Sequence, residues 1–452
     1  MKLIHTADWH LGASFYGFER TAEHTHFLTW LSNTVREERP DALLVSGDIF
    51  DNANPPAQAE RQLFDFLTGI TAENDSLKVI LTSGNHDSGY RLEAPRALYR
   101  RSGIEVRGIV QRDGKDGIDY KSMLIPLKSE EDGGRQVIVM AVPYLHGEDL
   151  AQGADYSRAM RKFFDTLAET ARKEYGTGAQ LVLMAHFCAA GSEINAEEHS
   201  ERLIVGDRNM VNAEKLSDGI AYTALGHIHK AQKVAGQVNV IYCGSPLPMM
   251  FSEKNYHHIV TRVNITKDKV EVAPLLYEPL RGMLTVPSTG SAGIEEVLRL
   301  LSRFPKAHKG ENSVEAADDE VMNAAAAEES RGKGVFSLRS RDESADRWPY
   351  LEVKVRETAP DPSLVGAIVD ALEGKAVRLC RIVRVRPNGD RSNETAQMMN
   401  FDDLRKINPA QIARTIYQSR YGRDMPDEVA RLFAEVKRRC EHNMNTAGEE
   451  DA

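Results

Sequence analysis

Several features are scarce in this sequence of 452 residues, and each scarcity excludes a class of protein. The four cysteines (Cys188, Cys243, Cys380 and Cys440) are widely spaced and form no CxxC pair, which argues against a disulfide framework and a thiolate zinc site. No apolar run approaches the roughly 20 residues that a membrane span needs. Because the N-terminus, MKLIHTADWHLG, lacks the apolar stretch of a signal peptide, we expect a cytoplasmic protein with no membrane contact.

Excess positive charge is also missing. The formal net charge is −10, whereas electrostatic steering toward nucleic acid favours a basic surface. Any contact with nucleic acid must therefore come from local basic patches, from bound cations or from a partner. The sequence contains no GxxxxGK[ST] loop, so we expect no P-loop ATP site in this chain. It contains no internal repeat either.

The first half of the chain alternates strand-like and helix-like segments. Apolar runs at 2–6, 42–46 and 78–82 have strand length, and the segments between them, 23–36 and 57–70, place apolar residues at helical spacing. This βαβαβ pattern predicts a largely parallel sheet covered by helices. Further strand-like runs follow at 136–142, 180–185, 221–225 and 238–242, with a helix at 157–175 among them.

A chain of this length exceeds the roughly 250–300 residues of a single core, so we expect more than one domain. Beyond about residue 285 the composition also changes, and much of the chain becomes polar and dense in mixed charge. We predict a first domain over 1–285 and a small domain over 286–390, which contains a charged, disordered insertion at 311–347 and a β-α-β module from 350 to 385. Two amphipathic helices within 396–445 end the chain. They fit docking onto a partner and packing on their own domain about equally well.

Residues that bind hard or borderline cations follow five of the strand-like runs. They are Asp8 and His10 (DWH), Asp48 (GDIFD), Asn85, His86 and Asp87 (GNHD), His186, and His227 and His229 (GHIH). In open α/β sheets, ligands bind at the carboxyl ends of strands, so we expect these loops to converge.

The donor types in this set indicate the kind of metal. Carboxylate, imidazole and amide oxygen suit manganese, iron or zinc, and a carboxylate between two cations can bridge them; Asp48 is the natural bridge. Each motif alone has an ordinary explanation, such as a turn, an acidic helix start or surface histidines. All five in this order, each at the end of a strand-like run, indicate a two-metal site.

The order DxH, GDxxD, GNHD, H, GHxH resembles that of the calcineurin-like metallophosphoesterases. HTADWHLG, GDIFD, ALGHIH and YCGSP are more closely similar to the nuclease subunits of bacterial SbcCD complexes. The resemblance is dense over residues 1–250 and only architectural over 261–385. It implies an α/β fold in which helices flank a two-sheet sandwich, followed by a small α+β cap domain and C-terminal helices.

The resemblance also implies roles for the individual residues. One metal would be held by Asp8, His10, Asp48 and His229, and the second by Asp48, Asn85, His186 and His227, with Mn²⁺ the usual activating ion. His86 would lie beside the scissile phosphate and assist the leaving oxygen, oriented by Asp87. Some relatives carry a histidine where this chain has Asp51, so a DNA-contact role at that position is not carried over.

The implied activity is a two-metal DNA nuclease for repair and recombination. The expected substrates are duplex ends, cut 3′ to 5′, and single strands and hairpins, cut internally. The expected partners are the ATPase subunit SbcC, which would use the ATP, and a second copy of the chain. Two alternatives remain: a phosphatase of small phosphoesters or phosphoproteins, and a non-catalytic scaffold of a DNA-end-binding complex. Turnover of hairpin DNA against a small phosphomonoester would separate nuclease from phosphatase.

Overall fold

The computed structural model describes residues 1–114, 117–129, 135–150, 155–190, 192–193, 210–212, 218–234, 236–237, 239–307, 347–357, 361–385, 425–426 and 429–430. The chain forms two compact units, Met1–Pro387 and Asn388–Ala452, and every element below belongs to the first. Nearly all of the predicted insertion at 311–347 and of the predicted helices within 396–445 lies outside the described residues. Among the helices that are described, none is long and apolar enough to cross a membrane.

The described strands are Lys2–Thr6 (β1), Ser14–Phe15 (β2), Phe18–Glu19 (β3), Ala42–Ser46 (β4), Lys78–Thr82 (β5), Ile104–Arg107 (β6), Arg112–Asp113 (β7), Gly117–Ile118 (β8), Leu124–Ser129 (β9), Arg135–Ala141 (β10), Gln180–His186 (β11), Tyr222–Gly226 (β12), Gln232–Lys233 (β13), Val240–Tyr242 (β14), Ile259–Ile265 (β15), Val270–Leu276 (β16), Met283–Val286 (β17), Tyr350–Arg356 (β18) and Arg378–Val385 (β19). The described α-helices are Thr21–Glu38 (α1), Ala57–Ala72 (α2), Gly89–Glu93 (α3), Arg96–Tyr99 (α4), Tyr156–Tyr175 (α5), Ile294–Ser302 (α6) and Leu364–Leu372 (α7).

Two six-stranded sheets form the main body. The first has the order β16-β15-β1-β4-β5-β6, in which β1, β4, β5 and β6 are parallel and β15 and β16 are antiparallel additions. The second has the order β13-β14-β12-β11-β10-β9 with a parallel centre. The predicted βαβαβ unit is confirmed, with β1, β4 and β5 at the predicted bounds. In the second sheet the predicted strands β10, β11, β12 and β14 differ from prediction by one or two residues, and the edge strands β9 and β13 were not predicted.

The two sheets pack face to face, and helices cover their outer faces. Leu3 and Leu44 of the first sheet share a buried cluster with Val139 and Met184 of the second. Helices α1 and α2 pack on the other side of the first sheet, and α5 packs on the other side of the second. Because both faces of the central strands are buried, they appear in the sequence as continuous apolar runs. The predicted sandwich flanked by helices is thus confirmed.

A third, smaller sheet contains the parallel strands β17, β18 and β19. Helices α6 and α7 bury Leu301 and Ile368 against Val353 and Val355 of the central strand. The sequence predicted a β-α-β module here, and the structure adds β17 and α6 before it. Strand β17 crosses the domain boundary predicted at residue 285, because that boundary was placed where the composition changes rather than where strand pairing changes. We call this three-stranded unit the cap.

A buried charged cluster joins the cap to the main body. The Glu23 carboxylate in α1 accepts hydrogen bonds from Arg20 (2.9 Å), from Arg281 (2.8 Å) and from the Tyr350 hydroxyl of β18 (2.6 Å). Arg20 also donates to the carbonyl oxygen of Pro248 at 2.7 Å. All three charged side chains are almost fully buried. Since a buried charge is tolerated only when it is paired, removing Glu23 leaves two buried guanidinium groups without their shared partner.

We therefore expect Glu23→Gln to lower the free energy of unfolding by about 3–5 kcal/mol, because it uncouples a buried ion network at nearly constant volume. The matched control is Glu73→Gln, which removes the carboxylate of an exposed pair with Arg36 and should cost less than about 1 kcal/mol. Urea unfolding of both variants measures the difference. Equal costs would mean that the cluster contributes no more than a surface ion pair.

Candidate metal centre

The carboxyl ends of five strands meet where the two sheets pack together. Asp8 and His10 follow β1, Asp48 follows β4, Asn85 and His86 follow β5, His186 ends β11, and His227 and His229 follow β12. Backbone hydrogen bonds from Asp8 N to Gly47 O (3.1 Å) and from His10 N to Asp48 O (3.0 Å) hold the first two loops side by side. The predicted convergence of these loops therefore occurs, as expected for parallel strands.

The backbone is strained at several of these positions. Six non-glycine residues have positive φ among the residues that the structure describes, and four of them are predicted ligands: Asp8 (55°), His10 (47°), Asp48 (48°) and His227 (100°). Such conformations cost of order 1–3 kcal/mol each and cluster at functional sites. With this backbone conformation, the side chains of all four residues point into the same centre.

Glycines make the close approach of the loops feasible. A Cβ atom at Gly84 would collide with the carboxylate and backbone of Asp48, and one at Gly47 would collide with the His186 ring. A Cβ atom at Gly226 would collide with the Ser46 carbonyl oxygen. The glycines of GDIFD, GNHD and GHIH are therefore required by packing, because the loops approach to backbone distance at these points.

Histidine and aspartate side chains form three overlapping groups in this centre. In each group the possible ligand atoms lie within 4.8 Å of one another; the groups are Asp8, His10 and His229; His10, Asp48 and His86; and Asp48, His186 and His227. Asp48 belongs to two of them. Its Oδ2 atom lies 3.2 Å from His186 Nε2 and 3.9 Å from His10 Nε2. A carboxylate oxygen between two imidazole nitrogens is the arrangement expected of a group that faces two cations.

Asn85 and the remaining histidines complete the set. The Asn85 amide oxygen lies 3.0 Å from His186 Nε2 and 3.0 Å from His227 Nδ1. The Nε2 atoms of His10 and His229 are 3.2 Å apart. These short distances between possible ligand atoms fit side chains that point at shared cations. All seven residues that the sequence predicts as ligands are thus brought together.

The electrostatics of the centre favour cations. Burial raises the pKa of Asp8, and the nearby Asp48 charge adds to the rise, while His186 and His229 oppose it. Burial would lower the pKa of His186, but Asp48 and Asp8 together raise it to about 9. Asp8 Oδ2 is buried and meets no hydrogen-bond donor among the described residues. Buried carboxylates in this arrangement need positive charge, and oxygen and nitrogen donors suit divalent cations.

His86 lies at the edge of the same cluster. Its backbone N–H donates to Asp48 Oδ1 at 2.9 Å, and its ring packs edge-on against His10 with 4.9 Å between centroids. Its Nδ1 atom lies 2.8 Å from the carbonyl oxygen of Asp51. Because a carbonyl oxygen only accepts, Nδ1 carries the proton, and the second proton of a charged ring would be at Nε2.

Asp87 was predicted to orient His86. In the structure its carboxylate accepts hydrogen bonds from the backbone N–H groups of Ile49 (3.1 Å), Phe50 (2.8 Å) and Gly84 (2.8 Å). Asp87 therefore ties the GDIFD and GNHD loops together, and the orienting carbonyl at His86 Nδ1 is that of Asp51. A direct role of Asp87 toward His86 stays a prediction. Burial and the Asp48 charge raise the pKa of Asp87 to about 6.

Three contacts that support the ligands were missed by sequence reasoning. His186 Nδ1 lies 2.9 Å from the Ser46 carbonyl oxygen, His10 Nδ1 lies 3.5 Å from Asp51 Oδ1, and His229 Nδ1 lies 3.3 Å from Glu253 Oε1. A carbonyl oxygen leaves no signature in a sequence. Glu253 belongs to no motif, and only a search for a carboxylate near each histidine in space could have found it.

Comparisons with known proteins find related families over most of the chain. The model of the calcineurin-like phosphoesterase family matches residues 1–231, and the model of the type 5 capsule protein repressor C-terminal domain matches residues 281–421. The SbcD component of the SbcCD nuclease of Rhodobacter capsulatus is 33% identical over 86% of this chain and 88% of its own length.

More distant relatives carry the same name. The SbcD component of the Escherichia coli K12 nuclease is 27% identical over 60% of this chain and 67% of its own length. That of Bacillus subtilis is 32% identical over 58% of this chain and 66% of its own length. The chain therefore belongs to the calcineurin-like phosphoesterases and, within them, to the family of the SbcD components of SbcCD nucleases.

Proposed function

We propose that this chain is the nuclease subunit of an SbcCD-type complex and that it hydrolyses phosphodiester bonds of DNA with two divalent cations. The observation that carries the proposal is the pair of ligand groups on either side of Asp48. Membership of the SbcD family supports DNA as the substrate, since its relatives are named nucleases. The net charge of −10 implies that DNA is held by local contacts and by the cations rather than by a basic surface.

For the metals we propose the assignment that the resemblance implies. Asp8, His10, Asp48 and His229 hold one ion, and Asp48, Asn85, His186 and His227 hold the other. The mutual distances within each group support it. We propose Mn²⁺ as the working ion, because mixed carboxylate, imidazole and amide donors suit it. Bound cations of this kind would offset phosphate charge and lower the pKa of a water molecule.

The chain's own residues would position the phosphate and move a proton. His86 is held by its backbone N–H on Asp48 and by its Nδ1–H on the Asp51 carbonyl. Its transferable proton is therefore at Nε2, which we propose protonates the leaving oxygen. Asp87 keeps the GDIFD and GNHD loops in register, so that His86 keeps its place beside the ligands.

For the specific nuclease activities we propose those that the family resemblance implies. We propose 3′-to-5′ exonuclease action on duplex ends and endonuclease action on single strands and hairpins, in DNA repair and recombination in the cytoplasm. The ATPase subunit SbcC and a second copy of the chain are the proposed partners. We propose residues 1–285 as the nuclease domain and 286–390 as the cap domain, with β17 crossing this boundary to pair in the cap sheet. We propose 396–445 as the segment that binds SbcC.

The direct test is a nuclease assay on blunt and hairpin DNA, with and without Mn²⁺ and the ATPase subunit. A small phosphomonoester, p-nitrophenyl phosphate, is the comparison substrate. We expect metal-dependent cleavage of DNA and slower turnover of the monoester. Turnover of the monoester with no cleavage of any DNA would contradict the proposal and favour a phosphatase.

Removing the shared carboxylate should affect both ions. We expect Asp48→Asn to abolish or weaken both Mn²⁺ binding events, and Asp8→Asn to weaken one, because Asp48 faces both groups. The exposed Asp65→Asn, on α2, is the matched control. Calorimetric titration of Mn²⁺ into each variant is the measurement. Two intact binding events in Asp48→Asn would assign the bridge to another residue.

Removing the ring of His86 should stop cleavage and leave the metals bound. We expect His86→Ala to lower the rate of DNA cleavage by about 10²–10⁴-fold, the usual cost of a positioned proton donor. Metal content is measured on the same samples, with the exposed His257→Ala as control. A possible ligand atom of His86 also lies within 4.8 Å of those of His10 and Asp48. Loss of bound metal together with activity would therefore show that His86 is a metal ligand.

A further inference from the structure

Glu253 is a buried carboxylate beside the metal centre that belongs to none of the five motifs. It ends a short 3-10 helix, Phe251–Glu253, and is 5% exposed. Its Oε1 atom lies 3.3 Å from His229 Nδ1, and its Oε2 atom accepts a hydrogen bond of 2.6 Å from the backbone N–H of Met249. Both oxygens of this carboxylate are thus engaged, one of them by a predicted metal ligand.

The contact determines which nitrogen of His229 can bind a metal. An ionised carboxylate only accepts, so His229 Nδ1 carries a proton and donates it. In the neutral ring, Nε2 then carries the lone pair. That Nε2 atom lies 3.2 Å from His10 Nε2, inside the group formed by Asp8, His10 and His229. Glu253 therefore holds the ring in the tautomer and the orientation that a metal ligand needs.

The helix that carries Glu253 is itself fixed. The Glu253 N–H donates to the Met250 carbonyl oxygen at 3.0 Å. Phe251 packs against Phe15 with 5.4 Å between ring centroids, and the guanidinium of Arg381 lies 5.5 Å from its ring. The carboxylate thus comes from a segment with little freedom to turn away from His229.

We propose that Glu253 is a positioning residue, which sets the tautomer and orientation of His229 for the metal held by Asp8, His10, Asp48 and His229. The inference rests on the proposed metal assignment. A carboxylate fits these two contacts, because His229 Nδ1–H and Met249 N–H are both donors. A glutamine has one acceptor oxygen, so it must either turn its NH₂ group toward one of these donors or reverse the His229 tautomer.

The test is calorimetric titration of Mn²⁺ into the full chain. Electron paramagnetic resonance spectra of the same samples are recorded at each Mn²⁺ concentration. We expect Glu253→Gln to lower the affinity of one of the two Mn²⁺ ions by roughly 10–100-fold and to leave the other unchanged. The spectrum of a coupled Mn²⁺ pair should then appear only at correspondingly higher Mn²⁺. Glu357→Gln is the matched control, because Glu357 is a buried carboxylate of the cap that pairs with Arg384, away from Phe251 and Arg381.

A double variant separates positioning from general damage. If Glu253 acts through His229, Glu253→Gln added to His229→Ala should not change the affinity of the remaining site any further. A merely structural role would lower that affinity or the melting temperature again. Glu253→Asp covers the case in which Glu253→Gln does not fold, because it withdraws the carboxylate by one methylene group from a contact that is already 3.3 Å long.

Two unchanged Mn²⁺ affinities in a folded Glu253→Gln or Glu253→Asp protein would overturn this inference and leave the proposed function intact. Failure of the unaltered chain to bind two Mn²⁺ ions or to cleave DNA would instead overturn the proposed function itself.

Discussion

Negative charge is concentrated at the edge where the two sheets meet, and the rest of the site depends on how that charge is balanced. Asp8 and Asp48 are almost completely buried there, and the Asp87 carboxylate accepts hydrogen bonds from the backbone of the same loops. Burial raises the pKa of Asp8 and Asp87, and the Asp48 charge acts on both in the same direction. Histidines balance part of this charge in the free chain. Divalent cations can balance it fully, since each brings two positive charges to the same oxygens.

The fold provides the rigidity that such a cluster requires. The loops after β1 and β4 are joined by backbone hydrogen bonds from Asp8 to Gly47 and from His10 to Asp48. Asp87 joins the loops after β4 and β5, because its carboxylate accepts hydrogen bonds from three of their backbone N–H groups. These bonds compensate for the positive φ angles at the ligands, which an isolated loop would relax. Glycines appear where two loops touch at backbone distance, as Gly84 does against Asp48.

The residues that meet in the candidate metal centre could be predicted from the sequence because the information that marks them is local. A metal ligand at the end of a parallel strand follows an apolar run, so a pattern of runs and polar residues indicates both the strand and the site. The supporting contacts are not local. His229 and Glu253 are 24 residues apart, and His86 meets a backbone carbonyl 35 residues away. Neither contact changes the residue pattern around its partner. The predicted domain boundary at residue 285 falls inside β17 for the same reason, because β17 pairs with β18, whose residues are far away in the sequence.

The two ligand groups are supported by different parts of the molecule. His186 is held from within the sandwich, by the carbonyl oxygen of Ser46. His229 is held by Glu253, whose short helix carries Phe251 into an aromatic cluster with Phe15 and the cap residue Tyr350.

The chain that follows His10 leads into the same cluster, because the β2–β3 hairpin carries Phe15 and Phe18 onto Tyr350. A displacement of the cap would therefore reach His10 and His229 through short covalent and packed connections. His186, whose support is in the parallel core, would be displaced less. Of the two proposed metal sites, the one that includes Asp8, His10 and His229 is therefore the one connected to the cap through this aromatic cluster.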